Sequence, residues 1–267
     1  MTVVSVGDIE LDYERSGSGP PLLLIMGMSG TALHWGESFL EALRRDFEVI
    51  AYDHRGVGAS SRLQGPVTIV EMARDAVGLL DALHIESAHV MGISMGGMIA
   101  QELALAHPER LRTLTLGCTY CGGVGSVLIS RGLSERLTAA VMSGGREGLL
   151  RAAWEANVSA ALVNDEDAWA EFLAIGRTRA VAIPVIMAQS QAILAHDTSR
   201  RLAGLEIPTL VIHGTADEIL PVQNGRVVAS HIPGARLEIY EGAGHLFFWE
   251  QPQRTAELVR EHAAVPM

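Results

Sequence analysis

A serine between two glycines is the strongest chemical signal in this chain of 267 residues. In Gly92-Ile93-Ser94-Met95-Gly96, each glycine stands two residues from Ser94. The apolar run Ala88–Ile93, typical of a buried strand, leads into the turn, and the helical pattern Met95–Ala106 leaves it. Such a turn lifts a hydroxyl above a sheet, and it needs glycines because its backbone is strained and closely packed. The segment therefore predicts a nucleophile elbow with Ser94 as the nucleophile.

A glycine-rich turn between a strand and a helix can also serve packing alone or bind a phosphate. A P-loop needs a lysine after its last glycine, and a dinucleotide site needs the order G-x-G-x-x-G; this turn has neither. In the catalytic interpretation, the first amide of the helix, that of Met95, points at the negative charge that develops during attack on a carbonyl. We favour that interpretation.

The base that would activate this serine is predicted to be a histidine, the side chain that titrates near neutral pH. The chain has 10 histidines, so residue type alone does not select one. In this kind of site the partners follow the serine in the order acid, then histidine, each on a loop after a strand. His245 ends the segment Glu241-Gly242-Ala243-Gly244-His245, directly after the predicted strand Arg236–Tyr240. The two glycines would let this loop fold over the sheet edge, so we predict His245 as the base rather than a surface-loop histidine.

The acid is predicted at Asp217, which follows the predicted strand Pro208–His213. A buried carboxylate there would accept the proton of the other ring nitrogen, hold the tautomer and stabilise the imidazolium. Glu218 competes for this role because it is also a carboxylate. Asp217 is favoured because the segment Ile219-Leu220-Pro221 follows and Glu218 can point to solvent.

Attack on a carbonyl also requires two hydrogen-bond donors for the oxyanion. One is predicted to be the Met95 N–H. The other is predicted to be the Met28 N–H in the loop Gly27-Met28-Ser29-Gly30, which follows the apolar run Leu22–Met26. The two thioether side chains would line an apolar, adaptable pocket, unless they only fill the core.

The elements that must position these residues alternate between strand and helix, which predicts the α/β class. The predicted strands are Thr2–Val6, Ile9–Glu14, Leu22–Met26, Phe47–Tyr52, Ala88–Ile93, Leu111–Leu116, Pro208–His213 and Arg236–Tyr240. The helices outside the middle of the chain are Phe39–Leu43, Thr68–Leu83, Met95–Ala106, Gln223–His231 and Gln251–Ala264. We expect a doubly wound, mostly parallel eight-stranded sheet with helices on both faces.

Between about residues 120 and 200 the pattern is helical, with no convincing strand. Helices are predicted at Leu149–Val158, Asp167–Thr178 and Pro184–His196, with flexible joints at Gly122–Gly125 and Ser143–Gly145. We therefore predict a core of residues 1–119 and 201–267 and a helical cap insertion of residues 120–200. The pocket is expected between the cap and the carboxyl edge of the sheet.

None of the apolar residues of the cap is assigned to substrate binding, since apolar residues at helical spacing more often belong to a core. These residues are Leu128, Leu133, Met142, Trp154, Trp169, Phe172, Ile186 and Met187.

The composition disfavours several classes of function. The net charge of −11 argues against nucleic acid and anionic membranes as partners. Met1–Glu10 lacks the basic and apolar regions of a signal peptide, and no apolar run has the length of a membrane span, so a cytoplasmic protein is expected. Cys118 and Cys121 form one C-x-x-C pair, which without a second pair is interpreted as small apolar residues near a strand end rather than a redox or zinc site. No metal or organic cofactor is expected.

Several segments together resemble the α/β-hydrolase superfamily, in its capped serine esterase/lactonase branch, over essentially the whole length. They are Leu22–Gly30, Tyr52–Ser60, Gly92–Gly97, His213–Pro221 and Gly242–His245. The first two are also similar to methyl esterases of aromatic polyketide pathways and to enol-lactonases. The resemblance implies a mainly structural role for Asp53–Gly56. Met26-Gly27 departs from the His-Gly that this family usually has before the oxyanion residue. Dehalogenases and epoxide hydrolases of this fold use an aspartate nucleophile, and Ser94 argues against them.

The expected reaction is cleavage of a carboxylic ester of a small, hydrophobic molecule through an acyl-enzyme. The same residues could cleave a lactone, a thioester or a C–C bond, or support cofactor-free perhydrolysis. A small-molecule receptor that retains the triad is an alternative of another class. A purely structural role is disfavoured because a strained elbow is costly without chemistry.

Overall fold

The eight predicted strands are all present in the computed structural model, which describes residues 2–265 except for the side chains of residues 131, 141, 144 and 146. They are β1 (Thr2–Val6), β2 (Ile9–Gly17), β3 (Pro21–Ile25), β4 (Glu48–Tyr52), β5 (Ala88–Ile93), β6 (Leu111–Gly117), β7 (Thr209–Gly214) and β8 (Arg236–Tyr240). Their order across the sheet is β1-β2-β4-β3-β5-β6-β7-β8. β2 pairs antiparallel with β1 and β4, and the other neighbours pair in parallel. β2 runs past the predicted end at Glu14 because Arg15 and Gly17 still pair with β4.

The parallel register brings the ends of neighbouring strands to one edge of the sheet. The pairs at this edge are Ile25↔Gly92, Ile93↔Gly117, Gly117↔Ile212 and Gly214↔Tyr240. The loops that follow β3, β5, β6, β7 and β8 therefore meet at the carboxyl edge, which is where open parallel sheets bind their ligands. All the residues predicted to act in the site lie in or next to these loops.

Helices cover both faces of the sheet. They are α1 (Glu37–Arg44), α2 (Ile69–Ala82), α3 (Met95–Ala106), α4 (Arg131–Asn157), α5 (Glu166–Thr178), α6 (Ile183–Leu194), α7 (Gln223–His231), α8 (Phe247–Glu250) and α9 (Pro252–Ala263). Leu23 and Ile25 of β3 belong to the apolar cluster that includes α2 and α3. Leu22 and Leu24 belong to the cluster with α1 and α9 on the opposite face. This alternation buries β3 on both sides, as its continuous apolar sequence requires.

The helices α4, α5 and α6 lie between β6 and β7. The predicted start of the first of them at Leu149 is wrong, because α4 already begins at Arg131. The Ser130 hydroxyl accepts the Leu133 N–H at 3.2 Å and so caps the helix at a point where apolar periodicity is weak. The helix is interrupted at Gly145, with φ 57° and ψ −145°, inside the predicted joint Ser143–Gly145.

Aromatic side chains attach these helices to the rest of the molecule. Trp154 and Phe172 lie 5.2 Å apart between ring centroids, and Trp249 of α8 lies 5.8 Å from Trp154. Trp169 stacks on Phe172 at 6.3 Å. Met142 and Met187, by contrast, are exposed on the outside. None of the helices described over residues 2–265 is both long enough and apolar enough to cross a membrane.

A buried ion cluster provides a second attachment. Arg179, just after α5, places its Nη1 2.6 Å from both Asp12 Oδ2 and Asp53 Oδ2. The two carboxylate side chains are 3 % and 0 % exposed, so Arg179 is the cation that makes their burial tolerable. Asp53 also accepts the Ala32 N–H at 2.7 Å. This agrees with a structural role for Asp53–Gly56.

We predict that Arg179→Ala lowers the free energy of unfolding by about 3 kcal/mol, because it leaves two buried carboxylates without their cation. Arg177→Ala is the matched control: Arg177 pairs with Glu147 on the surface, and both side chains are at least 60 % exposed. The control should cost no more than about 0.5 kcal/mol. Urea unfolding followed by tryptophan fluorescence measures both. Equal effects of the two substitutions would contradict a stabilising role for the cluster.

Candidate active site

Ser94 stands between β5 and α3 with φ 53° and ψ −123°. A non-glycine residue in this region of backbone space carries strain of about 1–3 kcal/mol. The Ser94 N–H donates to the Gly117 carbonyl at 2.9 Å, and the Thr119 hydroxyl donates to the Ser94 carbonyl at 2.7 Å. These two bonds hold the turn, so the hydroxyl-bearing Cβ is carried by a backbone that cannot relax easily. Ser94 itself is half-buried, although every residue of β5 is buried.

The glycines around Ser94 are required by close packing. A Cβ on Gly92 would lie 2.2 Å from the Gly96 carbonyl oxygen. A Cβ on Gly96 would lie 1.9 Å from the Ile25 carbonyl oxygen of β3. Both distances are far below van der Waals contact, so any larger residue would push α3 away from the sheet. This is the steric constraint that the sequence pattern predicts.

The loop after β3 passes directly beside Ser94. A Cβ on Gly27 would lie 3.1 Å from Ser94 Cβ and 3.7 Å from its Oγ. The loop is closed by the Gly30 N–H, which donates to the Gly27 carbonyl at 3.3 Å, and Ser29 has a φ of 57°. Met28, the predicted donor, is thus held in a tight turn at the nucleophile. At the Met26-Gly27 departure, His54 Nε2 donates to the Met26 carbonyl at 2.8 Å.

Met95, the other predicted donor, is the first residue of α3. Its amide belongs to the first turn of a helix, where no carbonyl of the same helix can accept it. Its side chain is completely buried in the apolar cluster beneath α3, so it is core rather than pocket lining. The Met28 side chain is 37 % exposed and its Sδ accepts the Ser190 hydroxyl at 3.3 Å.

The structure places Asp217 against His245. Asp217 Oδ2 lies 2.7 Å from His245 Nδ1 and 3.2 Å from His213 Nε2. Asp217 Oδ1 accepts the N–H groups of Ile219 and Leu220, both at 2.9 Å. His213 Nε2 also donates to the Leu220 carbonyl at 2.7 Å, so its single N–H is shared between that carbonyl and Asp217. Burial would raise the pKa of Asp217, but the charge of His245 and the hydrogen bonds from His213 and His245 lower it to about 2.

Glu218, the competing carboxylate, lies on the surface. Its side chain is 57 % exposed and pairs with Arg136. Only Asp217 can therefore act on His245. Burial would lower the pKa of His245, but the negative charge of Asp217 raises it well above the usual value for histidine. Because Asp217 stays ionised, it stabilises the imidazolium that forms when His245 takes a proton.

Cys118, directly after β6, lies close to the predicted base His245. Its buried Sγ lies within 4.8 Å of a ring nitrogen of His245. The preceding residue, Gly117, accepts the Ser94 N–H through its carbonyl at 2.9 Å, so the end of β6 lies next to both Ser94 and His245. Burial raises the pKa of this thiol, which keeps it neutral. The interpretation of Cys118 as a small apolar residue at a strand end gave its position but missed this contact.

The same sulfur raises the question of a metal. Cys118 Sγ, a ring nitrogen of His245 and a carboxylate oxygen of Asp217 lie within 4.8 Å of one another, which is a spacing that could hold an ion. The carboxylate and the imidazole are, however, already hydrogen bonded to each other and to other donors. The prediction that no metal takes part stays a prediction.

Two further residues near the site lie outside the sequence prediction. Glu250 Oε1 accepts the N–H of Gly244 at 2.8 Å and the N–H of Ser159, just after α4, at 2.9 Å. It therefore connects the loop that carries His245 to the end of α4. Gln189 of α6 accepts the Ser29 N–H at 2.9 Å. Ser29 lies in the loop Gly27–Gly30, which carries the predicted donor Met28 and is called the oxyanion loop below. Both interactions join distant parts of the chain, so no local pattern could have indicated them. His213 could have been noted, since it is next to last in β7.

Comparison with known proteins agrees with this geometry. Residues 20–252 match the family described as the alpha/beta hydrolase fold. The chain belongs to the α/β-hydrolase family. It is 35 % identical to the Azorhizobium caulinodans protein named "Putative carbamate hydrolase RutD", over 90 % of each chain. It is 34 % identical to rhodomycin D methylesterase DauP from Streptomyces sp. strain C5, over 84 % of each chain.

Among solved structures, the enol-lactonase of Burkholderia xenovorans LB400 superposes with a TM-score of 0.82 and 27 % identity, covering 99 % of this chain and 100 % of that one. The names of these three proteins indicate a carbamate, a methyl ester and an enol lactone as their substrates. Each reaction expels a different group from a carbonyl carbon. The family therefore supports a hydrolase in the esterase/lactonase branch and leaves the bond to be argued separately.

We predict that Asp217→Asn lowers kcat/KM for a p-nitrophenyl ester by about 10⁴-fold, because the ring of His245 loses its correctly placed acceptor. The neutral imidazole is the base, so activity should rise with pH through the pKa of His245. Asp217 raises that pKa, so its neutralisation should move the acid limb of the profile to lower pH. Glu218→Gln is the matched control and should change neither value. A larger loss with Glu218→Gln would overturn the choice of acid.

Proposed function

We propose that this chain hydrolyses a carboxylic ester of a small, hydrophobic molecule through an acyl-enzyme on Ser94. One observation carries the proposal: the strained Ser94 elbow and the buried Asp217–His245 pair lie on loops at the same carboxyl edge of the sheet, with Cys118 Sγ within 4.8 Å of a His245 ring nitrogen. A nucleophile, a base and an orienting carboxylate at one place are what acyl transfer requires.

In the first step, the Ser94 Oγ forms a bond to the carbonyl carbon while its proton passes to His245. The electron pair of the C=O bond moves to oxygen, and the amides of Met28 and Met95 donate to that oxyanion. The imidazolium is stabilised by Asp217, which remains ionised. When the C–O bond to the alcohol breaks, His245 returns its proton to the leaving oxygen. The acyl group then remains on Ser94.

In the second step, water takes the place of the alcohol. His245 removes a proton from water as its oxygen attacks the acyl carbonyl, and the same two amides stabilise the second oxyanion. Collapse of this intermediate returns the proton to Ser94 and releases the carboxylic acid. All proton transfers use one imidazole, so no further titrating group is needed.

The preference for a hydrophobic ester is supported by the residues around the reacting atoms. Met28 directly follows Gly27, which lies beside Ser94. Leu246, which is 8 % exposed, directly follows His245. The cap helices bring no charged group into hydrogen bonding with Ser94 or His245 among the contacts of the described residues. The relative DauP, which is named a methylesterase, is consistent with an ester substrate.

A carbamate is a second candidate. The A. caulinodans relative, whose name gives a carbamate hydrolase, is 35 % identical to this chain, and attack by Ser94 on a carbamate would pass through the same oxyanion. The two candidates differ in the group that remains on Ser94 after the alcohol leaves, an acyl group from an ester or a carbamoyl group from a carbamate. They can therefore be separated only by measuring turnover.

We predict that wild-type protein hydrolyses p-nitrophenyl butanoate with kcat/KM at least 10-fold above that for a p-nitrophenyl N-alkyl carbamate of equal length, because the carbamate nitrogen makes its carbonyl less reactive. Ser94→Ala should lower ester turnover by about 10⁴-fold or more. A preference for the carbamate would favour the second candidate. Binding of both without turnover, or full activity of Ser94→Ala, would overturn the proposed hydrolysis. Ser143→Ala serves as a serine control, since Ser143 is exposed on α4 and its hydroxyl donates to the Ala139 carbonyl at 2.9 Å.

A further inference from the structure

Gln189 is a buried polar residue of the cap that the catalytic steps do not use. It lies on α6, is 1 % exposed, and accepts the Ser29 N–H through Oε1 at 2.9 Å. Its Nε2 has no hydrogen-bond partner among residues 2–265. A buried amide donor without a partner is costly, and native proteins keep few of them. A glutamine retained only to bind Ser29 would leave half of its carboxamide unsatisfied.

The orientation of this side chain follows from its single contact. A backbone N–H can only donate, so the partner of Ser29 must be the carboxamide oxygen. The amide nitrogen shares its carbon with that oxygen and is therefore held beside the same loop. This loop includes Gly27, whose hypothetical Cβ would lie 3.1 Å from Ser94 Cβ. The unpartnered donor is thus buried where α6 contacts the oxyanion loop.

The neighbouring residue of α6 strengthens this arrangement. The Ser190 hydroxyl donates to Met28 Sδ at 3.3 Å. Consecutive cap residues thus contact consecutive residues of the oxyanion loop, Gln189 with Ser29 and Ser190 with Met28. A substrate seated under the two oxyanion amides would lie against this part of α6.

We propose that Gln189 is a substrate-recognition residue: its Oε1 holds the oxyanion loop, and its Nε2 donates to an acceptor oxygen of the substrate close to the scissile carbonyl. The preferred class is then an ester that carries a second oxygen, as an ether, ketone or second ester, in its acyl or alkoxy part. A plain alkyl ester would leave the donor unpaired. This inference rests on the proposed ester hydrolysis and names the substrate class of the same site.

The test uses two pairs of esters that differ by one oxygen in place of a methylene. On the acyl side they are p-nitrophenyl methoxyacetate and p-nitrophenyl butanoate. On the alkoxy side they are 2-methoxyethyl butanoate and butyl butanoate. The kcat/KM ratio within each pair is compared between wild type and variant, which cancels the intrinsic reactivity of each ester.

The variants separate the two ends of the carboxamide. Gln189→Glu keeps an oxygen for Ser29 but replaces the donor with an acceptor, whereas Gln189→Leu removes both. Gln191→Glu, an exposed glutamine on the same helix, is the matched control. In at least one pair, the preference for the oxygen-bearing ester should fall about 10-fold or more in both Gln189 variants and less than about 2-fold in the control. If Gln189→Leu does not fold, as judged by thermal unfolding, Gln189→Glu decides.

The remaining results have distinct meanings. If the Gln189 variants slow all four esters equally, Gln189 only supports the oxyanion loop and the recognition role is overturned. Unchanged ratios at unchanged rates overturn it as well. If wild type hydrolyses none of the four esters, the proposed function itself fails. If wild type hydrolyses the esters but the ratios within each pair do not change in the Gln189 variants, only the Gln189 inference fails.

Discussion

The site depends first on how closely the turn after β5 packs against β3. With only 1.9 Å between a hypothetical Gly96 Cβ and the Ile25 carbonyl oxygen, α3 can start immediately after Ser94 only if residue 96 has no side chain. Ser94 must then adopt its positive φ, which costs about 1–3 kcal/mol. The fully buried β5 and the buried face of α3 offset this strain. The nucleophile is thus held in place by the packing of the sheet centre together with the two backbone hydrogen bonds of Ser94.

The base depends on a different kind of constraint, the burial of a charge. Asp217 stays ionised in an almost solvent-free position because Ile219, Leu220 and His245 donate to its two oxygens and the shared N–H of His213 lies 3.2 Å away. Two of these donors are backbone amides in its own loop, so the carboxylate is rigid before any substrate binds. Parallel register then places this loop, the His245 loop and the elbow at adjacent strand ends. The active site is therefore a consequence of strand order as much as of residue type.

Much of this could be predicted from sequence, because the relevant signals are local. Buried strands are short apolar runs, and the elbow has its own glycine spacing, so all eight strands and the Ser94 turn were predictable. The start of α4 at Arg131 was missed because the helix is mostly exposed there and has little apolar periodicity. The choice of Asp217 over Glu218 depended only on the apolar residues that follow, and the structure gives the physical reason in their different burial.

The contacts of Cys118, Glu250 and Gln189 could not be predicted, since each joins segments far apart in sequence. Cys118 gains its position from the pairing of β6 with β5, and Gln189 from the seating of α6 on the loop after β3. Such side chains adjust a site whose main parts are set by local patterns.

The central claim is that Ser94, activated by His245, is the nucleophile. A fluorophosphonate probe followed by peptide mass mapping tests it most directly, since an activated serine displaces fluoride from the probe and becomes phosphonylated. The account predicts one adduct per chain, on Ser94, with labelling slowed at least about 100-fold in His245→Ala and absent in Ser94→Ala. An adduct on another residue, or equal labelling of Ser94→Ala, would contradict it.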